Sequence, residues 1–165
     1  TENGEQQISV YSHDMRYRYA FARSWRDSGT LWLWVGLNPG TGDTEQRRRP
    51  TIERCVARSK AAGAGGLLIA NLFAARSKTP KALRAMRDPI GRHNDAALSS
   101  LSGISGSTIV AWGGNGSLIS NRARAIAPLL KDPWCLGTTS SGQPRHPLYV
   151  PLGTSPRPWL ARAQP

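Results

Sequence analysis

The sequence predicts an α/β fold: a three-layer α/β/α sandwich around a central, mostly parallel sheet of four to five strands. Short apolar segments typical of buried strands alternate along the chain with helical patterns, and a parallel sheet with helices on both faces accommodates that alternation. The 165 residues are about the length of one domain. We therefore predict a single α/β domain over 1–165, with edge strands in 1–30 and a loop-rich C-terminal segment over 140–165.

The N-terminal part of the chain predicts a hairpin followed by a central strand. The segments "QISVYS" and "RYRYAFARSW" are rich in aromatic and β-branched residues with rough period-two alternation. The segment "TLWLWVGL" is nearly continuously apolar and ends at Asn38-Pro39-Gly40. We expect the first two segments to form an edge hairpin and the third to be a central strand.

The rest of the chain alternates helices and strands. The segment "TIERCVARSKAAG" begins after Pro50-Thr51 and ends at Gly63, so it has helix-end signals on both sides. Pro80 predicts the first turn of a short helix in "PKALRAMR", and Asn94 or Asp95 predicts a helix start in "IGRHNDAALSSLSG". Further helix and strand predictions are a helix in "SLISNRARAIAPLLK" and buried strands at 66–70, in "STIVAWGGNG" and in "PWCLGTT".

The chain is strongly basic, which bears directly on its partners. Lys and Arg number 22 against 10 Asp and Glu, a formal net charge of +12. Neither folding nor solubility requires this imbalance, so it favours a polyanionic partner, nucleic acid or nucleotides. Arginine greatly outnumbers lysine, which suits bidentate phosphate contacts. A protein that is merely basic, or one that touches anionic membranes, would carry the same charge.

Cysteine content and hydropathy argue against several classes. Cys55 and Cys135 are too few for a disulfide framework or a four-thiolate iron–sulfur cluster, and His13 and His93 have no second ligand at metal spacing. No segment approaches the roughly 18 apolar residues of a membrane span, and "TENGEQQ" lacks a signal-peptide core. We expect a cytoplasmic, monomeric protein without metal, cofactor or membrane association.

Four predicted loops follow the carboxyl ends of the strands, where α/β sheets bind their ligands. Three of them follow the strand ends near Gly36, Asn71 and Trp112, and the fourth leads to His146. We therefore expect the four loops to converge. Their amide, carboxylate, imidazole, guanidinium and aromatic side chains are Asn38, Asp43, Asn71, Phe73, Trp112, Asn115, Arg145, His146 and Tyr149.

Part of this set is suited to reading a nucleobase. The Asn71 amide both donates and accepts hydrogen bonds, which matches the paired donor–acceptor edge of a base. Phe73, Trp112 or Tyr149 can stack on the face of that base. These four residues form the predicted base-binding set.

The remaining residues are suited to catalysis and to backbone contacts. His146 can donate a hydrogen bond to charge developing on a departing base, and Asn38 or Asp43 can hold or activate an attacking water. The predicted nucleic-acid contacts are Arg47, Arg48, Arg49, Arg145 and Asn115.

Each residue also has an ordinary structural interpretation. Asn38 before a proline can be only a turn former, and Asn71 at a buried strand end can be a cap or a structural amide. His146 can be a structural histidine, and tryptophans such as Trp112 are more often core residues than stacking platforms. The arginine run can be a solvated charged loop.

Four motifs in order resemble the uracil-DNA glycosylase superfamily: "GLNPG", "NLF", "AWGGNG" and "HPLY". More closely, the span from "RYRYAFARSW" to "GQPRHPLYV" resembles the domain-of-unknown-function 1643 family of bacteria and phages. By motif, Asn38 corresponds to a water-positioning asparagine, Asn71 to the base-binding asparagine and His146 to the leaving-group histidine. Asp43 has no secure counterpart. Leu148-Tyr149-Val150 stands where the glycosylases carry small residues that pinch phosphates.

The resemblance implies a uracil-DNA glycosylase-like fold without a cofactor. It also implies an activity: hydrolysis of the N-glycosidic bond of a flipped base that is deaminated, mismatched or modified, in single- or double-stranded DNA. Because asparagine rather than a carboxylate stands at position 38, slow turnover is expected. Two other functions stay open: a non-catalytic nucleic-acid-binding protein, and a hydrolase of free nucleosides or nucleotides.

Overall fold

The computed structural model describes residues 4–41, 49–115 and 120–161. The described residues form one seven-stranded sheet and four α-helices. The strands are β1 (Gln6–Tyr11), β2 (Arg18–Ser24), β3 (Leu31–Gly36), β4 (Gly66–Asn71), β5 (Ser107–Val110), β6 (Trp134–Cys135) and β7 (Arg157–Pro158). The helices are α1 (Pro50–Ala61), α2 (Pro80–Arg84), α3 (Asn94–Ile104) and α4 (Ser120–Ile126), and single 3-10 turns span Ala127–Leu129 and Pro147–Tyr149.

The sheet is mixed, with the strand order β1-β2-β4-β3-β5-β6-β7. Strands β4, β3, β5 and β6 are parallel to one another. Strands β1 and β2 on one side and β7 on the other pair antiparallel. The predicted α/β class is confirmed, but the prediction of a mostly parallel sheet of four to five strands is wrong. Only the four central strands follow the βαβ pattern, and the antiparallel strands extend the sheet on both sides.

The N-terminal hairpin lies at one edge of the sheet, and its inner strand pairs with β4. Strands β1 and β2 form the expected antiparallel pair, but β2 lies beside β4 instead of β3. Strand β4 therefore separates two strands that are adjacent in sequence. Period-two alternation indicates that a segment is a strand, but it does not indicate which strand lies beside it.

The two faces of the sheet carry separate apolar cores. Leu33, Val35 and Val110 face a core that includes residues of α2, α3 and α4. Their neighbours Trp34 and Ile109 face the opposite core, which includes Cys55 and Val56 of α1. Because both faces are covered, the central strands are apolar at successive positions, the pattern of a doubly covered parallel sheet.

Helix-end chemistry fixes where the helices begin. Pro50 and Pro80 stand in the first turns of α1 and α2, where a missing N–H costs nothing. The Thr79 side chain accepts a hydrogen bond from Ala82 N at 3.1 Å and caps α2. These local signals place α1 directly after the loop that follows β3.

Candidate active site

A cleft of about 1030 Å³ opens at the carboxyl ends of the parallel strands. Strands β3 and β5 are neighbours, and the chain leaves them in opposite directions, β3 toward β4 and β5 toward β6. Ligands of open α/β sheets bind at such a switch point. The polar and aromatic residues that line the cleft include Arg18, Asn38, Arg49, Asn71, Trp112, Asn115, Thr139, Arg145, His146 and Tyr149.

The strand register brings Asn71 to the cleft. Gly36 pairs with Asn71, so β3 and β4 end side by side. A Cβ atom on Gly36 would lie 2.8 Å from Asn71 Oδ1, so only glycine leaves room for this amide. The Asn71 side chain is 5 % exposed and makes no hydrogen bond with any residue that the structure describes. A buried amide beside a cleft is a group that a ligand can satisfy.

Two buried side chains hold the backbone around Asn71. Asn94 Nδ2 donates to Asn71 O and Leu72 O, both at 3.0 Å. Arg122 Nε donates to Leu72 O at 2.8 Å, and its Nη2 pairs with Asp95 Oδ1 at 2.5 Å. The end of β4 is therefore anchored from α3 and α4 before any ligand binds.

The Asn38 amide is oriented by two main-chain carbonyls. Its Nδ2 donates to Pro39 O at 2.9 Å and to Ser77 O at 3.0 Å. Both amide hydrogens are therefore used, and the group left for a ligand is the acceptor Oδ1. An acceptor of this kind can hold a water molecule by one of its O–H groups.

His146 is held as a neutral imidazole whose other ring nitrogen makes no hydrogen bond with a residue that the structure describes. It caps the 3-10 turn Pro147–Tyr149, and its Nδ1 accepts a hydrogen bond from Leu148 N at 3.3 Å. Since Nδ1 accepts, the proton of the neutral ring lies on Nε2. Burial lowers the pKa of His146 below its usual value of 6.5, so the ring is uncharged at neutral pH.

The loop after β5 makes room for this histidine. Gly113 has φ +78, and a Cβ atom there would lie 3.2 Å from His146 Cβ. Gly113 N also donates to Pro144 O at 2.8 Å. The left-handed backbone and the close approach both require glycine at this position. We call Asn38, Asn71 and His146 together the cleft floor.

Tyr149 stands at the rim of the cleft beside the histidine. Its ring is 5.5 Å from the His146 ring, and the residue is 76 % exposed. The chain just beyond it is anchored by Arg58 of α1, which donates to Val150 O at 2.9 Å and to Pro151 O at 2.6 Å. An exposed aromatic ring on an anchored loop is available for stacking on a base.

Two residues of the predicted base-binding set are core residues. Phe73 is 1 % exposed, packs in the core and does not line the cleft. Trp112 reaches the cleft wall, but its Nε1 donates to Gln143 Oε1 at 2.8 Å and its ring packs edge-on against Trp159. Large aromatic rings next to a strand end gain more from burial than from exposure, so the core interpretation describes both residues.

The predicted nucleic-acid contacts are only partly described by the structure. Arg49, Arg145 and Asn115 line the cleft. Arg47, Arg48 and the predicted catalytic Asp43 lie outside the described residues.

Sequence reasoning did not identify Arg18 as a cleft residue. Arg18 begins β2, is 5 % exposed and lines the cleft. The signal was present in "RYRYAFARSW", because a charged residue in a strand that continues with the buried Tyr19 and Phe21 requires a dedicated environment.

The described part of the chain places one thiol at the cleft and no arranged set of metal ligands. No group of three or more His, Cys, Asp or Glu residues there is arranged to hold a metal ion. Cys55 touches the cleft wall, but burial raises the pKa of its thiol to about 12, which makes it a poor nucleophile. Among the same residues, no helix has the length and apolar character needed to cross a membrane.

Comparison with known sequences gives one family match. The sequence model of the family described as "Protein of unknown function (DUF1643)" matches residues 18–148, most of the chain. No curated protein and no solved structure matches the chain. The matched span includes every residue of the cleft floor.

Proposed function

This chain belongs to the DUF1643 family, whose function is unknown, and we propose that it is a DNA base glycosylase. The reaction is hydrolysis of the N-glycosidic bond of a base flipped into the cleft. The observation that carries the proposal is the cleft floor: a buried amide, an oriented acceptor and a neutral imidazole N–H line one cleft.

Asn71 supports recognition of a base. Its amide can form one donated and one accepted hydrogen bond with the edge of a nucleobase, and both leave the buried amide satisfied. Gly36 leaves the room that this amide occupies, since a Cβ atom there would lie 2.8 Å from Asn71 Oδ1. A base that offers the complementary pair of groups is therefore selected over one that leaves the amide unpaired.

Asn38 and His146 support bond cleavage. A water held by Asn38 Oδ1 attacks the sugar carbon C1′ while the C1′–N bond breaks and its electron pair stays on the base nitrogen. The His146 Nε2–H donates a hydrogen bond to the base as negative charge develops on it. The attacking water loses its proton to solvent, because an amide cannot accept it. We expect slow turnover for that reason.

The charge of the chain supports a polymeric substrate. A net charge of +12 is far more than the phosphate of a single nucleotide requires. A hydrolase of free nucleosides or nucleotides is the weaker candidate on this ground.

One observation favours a second candidate, a DNA-binding protein without catalysis. None of the described residues that line the cleft is Asp or Glu, so this part of the cleft has no carboxylate to activate a water. Cationic and aromatic residues at the rim would serve binding alone equally well.

A strand-cleavage assay separates the two candidates. Labelled DNA carrying uracil, hypoxanthine, thymine mismatches or hypermodified bases, single and double stranded, is incubated with protein and then treated with hot alkali. The glycosylase proposal predicts breaks at one base type that vanish with Asn38→Ala. The control variant Asn121→Ala alters an exposed helix residue and is purified identically. It should keep the strand breaks, which would exclude a contaminating enzyme as their source. No breaks on any substrate, with tight salt-sensitive binding, would overturn the proposal in favour of the binder.

A further inference from the structure

Two arginines from separate elements meet at one glycine. Arg145 lies in the loop before His146, and Arg157 begins β7. A Cβ atom on Gly137 would lie 3.5 Å from Arg145 Cδ and 3.8 Å from Arg157 Nη2. Gly137 has φ +109, a conformation that favours glycine, so position 137 puts no side chain between the two arginines. We call Arg145 and Arg157 the arginine pair.

The strand register places this pair at the same edge of the sheet as the cleft. Arg157 pairs with Cys135, which pairs with Val110 at the carboxyl end of β5. Neighbouring strands lie about 4.8 Å apart, so Arg157 is roughly 10 Å along the sheet from the end of β5. Arg145 lines the cleft itself. The pair therefore lies on the β6–β7 side of the cleft, whereas Asn71 ends β4, on the far side of β5 and β3.

Main-chain hydrogen bonds fix the loop that carries Arg145. Arg145 N donates to Gly137 O at 2.9 Å, in the loop after β6, and Gly113 N donates to Pro144 O at 2.8 Å. The residues on both sides of the Arg145 side chain are therefore held against neighbouring loops of the cleft. An anchored backbone with an exposed guanidinium presents its charge at a defined place.

The charges of the arginine pair are not neutralised within the described part of the chain. Neither arginine forms an ion pair with a residue that the structure describes, whereas Arg23 pairs with Glu5 at 2.6 Å. The Arg145 guanidinium makes no hydrogen bond with these residues, and Arg157 Nη2 makes one long bond, to Thr138 Oγ1 at 3.4 Å. An anion that binds between two such cations reduces their repulsion and accepts their hydrogen bonds.

The position of the pair fits a phosphate of the DNA backbone. Consecutive Cα atoms are about 3.8 Å apart, so Arg145 is next to His146, which contacts the departing base in the proposed reaction. A nucleotide whose base lies between Asn71 and His146 has its sugar and phosphates at the mouth of the cleft. Arginine suits a diester because its planar fork binds the two unesterified phosphate oxygens at once.

We propose that the arginine pair is a phosphodiester subsite, which holds the DNA backbone where the strand leaves the cleft on the β6–β7 side. The assignment rests on the proposed nucleic-acid substrate. It gives the bound strand a direction across the molecule: the base enters at Asn71, at the end of β4, and the backbone continues past β6 toward β7.

Fluorescence anisotropy with a labelled single-stranded oligonucleotide tests the subsite. Arg145→Gln and Arg157→Gln should each weaken binding about tenfold at low salt, since charge-assisted hydrogen bonds are removed. The salt dependence should also become weaker, by about 0.7 in the slope of log affinity against log salt for a lost phosphate contact. Arg124→Gln removes the same charge from an exposed position in α4 and should stay within about twofold of wild type.

The double variant tests whether the two arginines share one phosphate. If they do, the loss of affinity in Arg145→Gln/Arg157→Gln should be smaller than the product of the two single losses, because groups that bind one partner are coupled. Losses that multiply exactly would overturn the shared subsite, since the arginines would then act at separate places.

Competition by small probes identifies the kind of phosphate. A thymidine dinucleotide with one internal phosphodiester should displace the labelled oligonucleotide from wild type better than its uncharged methylphosphonate analogue or inorganic phosphate. This advantage should shrink in the double variant. Competition by inorganic phosphate as strong as by the dinucleotide would overturn the diester assignment, because the pair would then bind a free phosphate.

Base release on the same samples separates this inference from the proposed function. If Arg145→Gln and Arg157→Gln melt like wild type and keep its affinity and salt slope, the subsite is wrong, whether or not the protein releases bases. If wild type releases no base while the predicted drop in affinity is observed, the glycosylase proposal fails and the subsite stands. Arg157→Gln, outside the cleft wall, carries the test alone if Arg145→Gln melts lower than wild type.

Discussion

The cleft floor is built in the opposite way to the arginine rim, the name we give to Arg18 and Arg49, which line the same cleft. The floor residues are uncharged at neutral pH. Hydrogen bonds orient Asn38 and His146, and Asn71 occupies the room that Gly36 leaves. The rim residues are cationic guanidinium groups, and burial lowers the pKa of both. Neutral, oriented groups act on charge that develops during a reaction, whereas cations hold a polyanion at every stage. Floor variants should therefore change rates, and rim variants should change affinities.

The largest expected effect is on base release by floor variants. Asn38→Ala and His146→Ala should each lower base release by about a hundredfold or more, the range measured when catalytic hydrogen bonds are removed. DNA affinity should stay within a few fold of wild type. Single-turnover base release and anisotropy on the same samples measure both quantities. An equal drop in affinity in floor and rim variants would remove the distinction between the two regions.

A smaller effect is expected when the floor is disturbed without removing a polar group. In Gly36→Ala the new Cβ atom meets Asn71 Oδ1 at 2.8 Å, so the amide must move. We expect base release to fall about tenfold, because overpacking of this kind costs about 1 to 2 kcal/mol. Gly40→Ala is the matched control, because its nearest neighbour is an ordinary contact at 3.8 Å. Similar rates in the two variants would mean that the position of Asn71 does not matter.

A modest effect on DNA affinity is expected from Tyr149, whose exposed ring can stack on a base. Tyr149→Ala should weaken binding of single-stranded DNA about fivefold, because a stacked base contributes about 1 to 3 kcal/mol. Tyr149→Phe keeps the ring and should bind like wild type. Titration of labelled oligonucleotide measures both variants. A decrease in Tyr149→Phe equal to that in Tyr149→Ala would assign the role to the hydroxyl group instead.

The smallest expected effect is on the pH dependence of stability, which His146 of the floor should show and the arginines should not. The folded pKa of His146 lies below 6.5, so the unfolded chain binds the proton first as the pH falls. The stability contributed by the neutral ring is complete above pH 6.5 and is lost as the pH falls through the folded pKa. Wild type should therefore lose more in Tm than His146→Asn between about pH 7 and pH 5. Arginines stay charged over this range. Parallel pH profiles of the two proteins would argue against a neutral, buried imidazole.

The sequence predicts the parallel half of the sheet and the loops at its carboxyl ends well. Apolar runs that end at Gly36, Asn71 and Val110 are unambiguous, and parallel strands bring their carboxyl ends to one edge. The placement of Asn38, Asn71 and His146 along one cleft follows from that topology. The need for glycine at position 36 is explained by the register, which pairs Gly36 with Asn71.

Other features depend on tertiary partners that no local pattern contains. The neighbour of β2 and the short strand β7 are set by pairing across the whole chain. In the sequence, Phe73 cannot be told apart from an aromatic residue that stacks on a base. The packing of the helices against the sheet is what buries it. Arg18 and Arg76 are far apart in sequence, and the Tyr17–Ala75 bridge brings their segments together.

The most direct test measures base release and DNA affinity side by side for Asn71→Ala and Arg49→Gln. Our account predicts that Asn71→Ala binds DNA within a few fold of wild type but releases almost no base. Arg49→Gln should bind about tenfold more weakly and release base at the wild-type rate once DNA is saturating. A decrease of both properties in the same proportion in both variants, or a wild-type protein that releases no base from any DNA, would contradict the account.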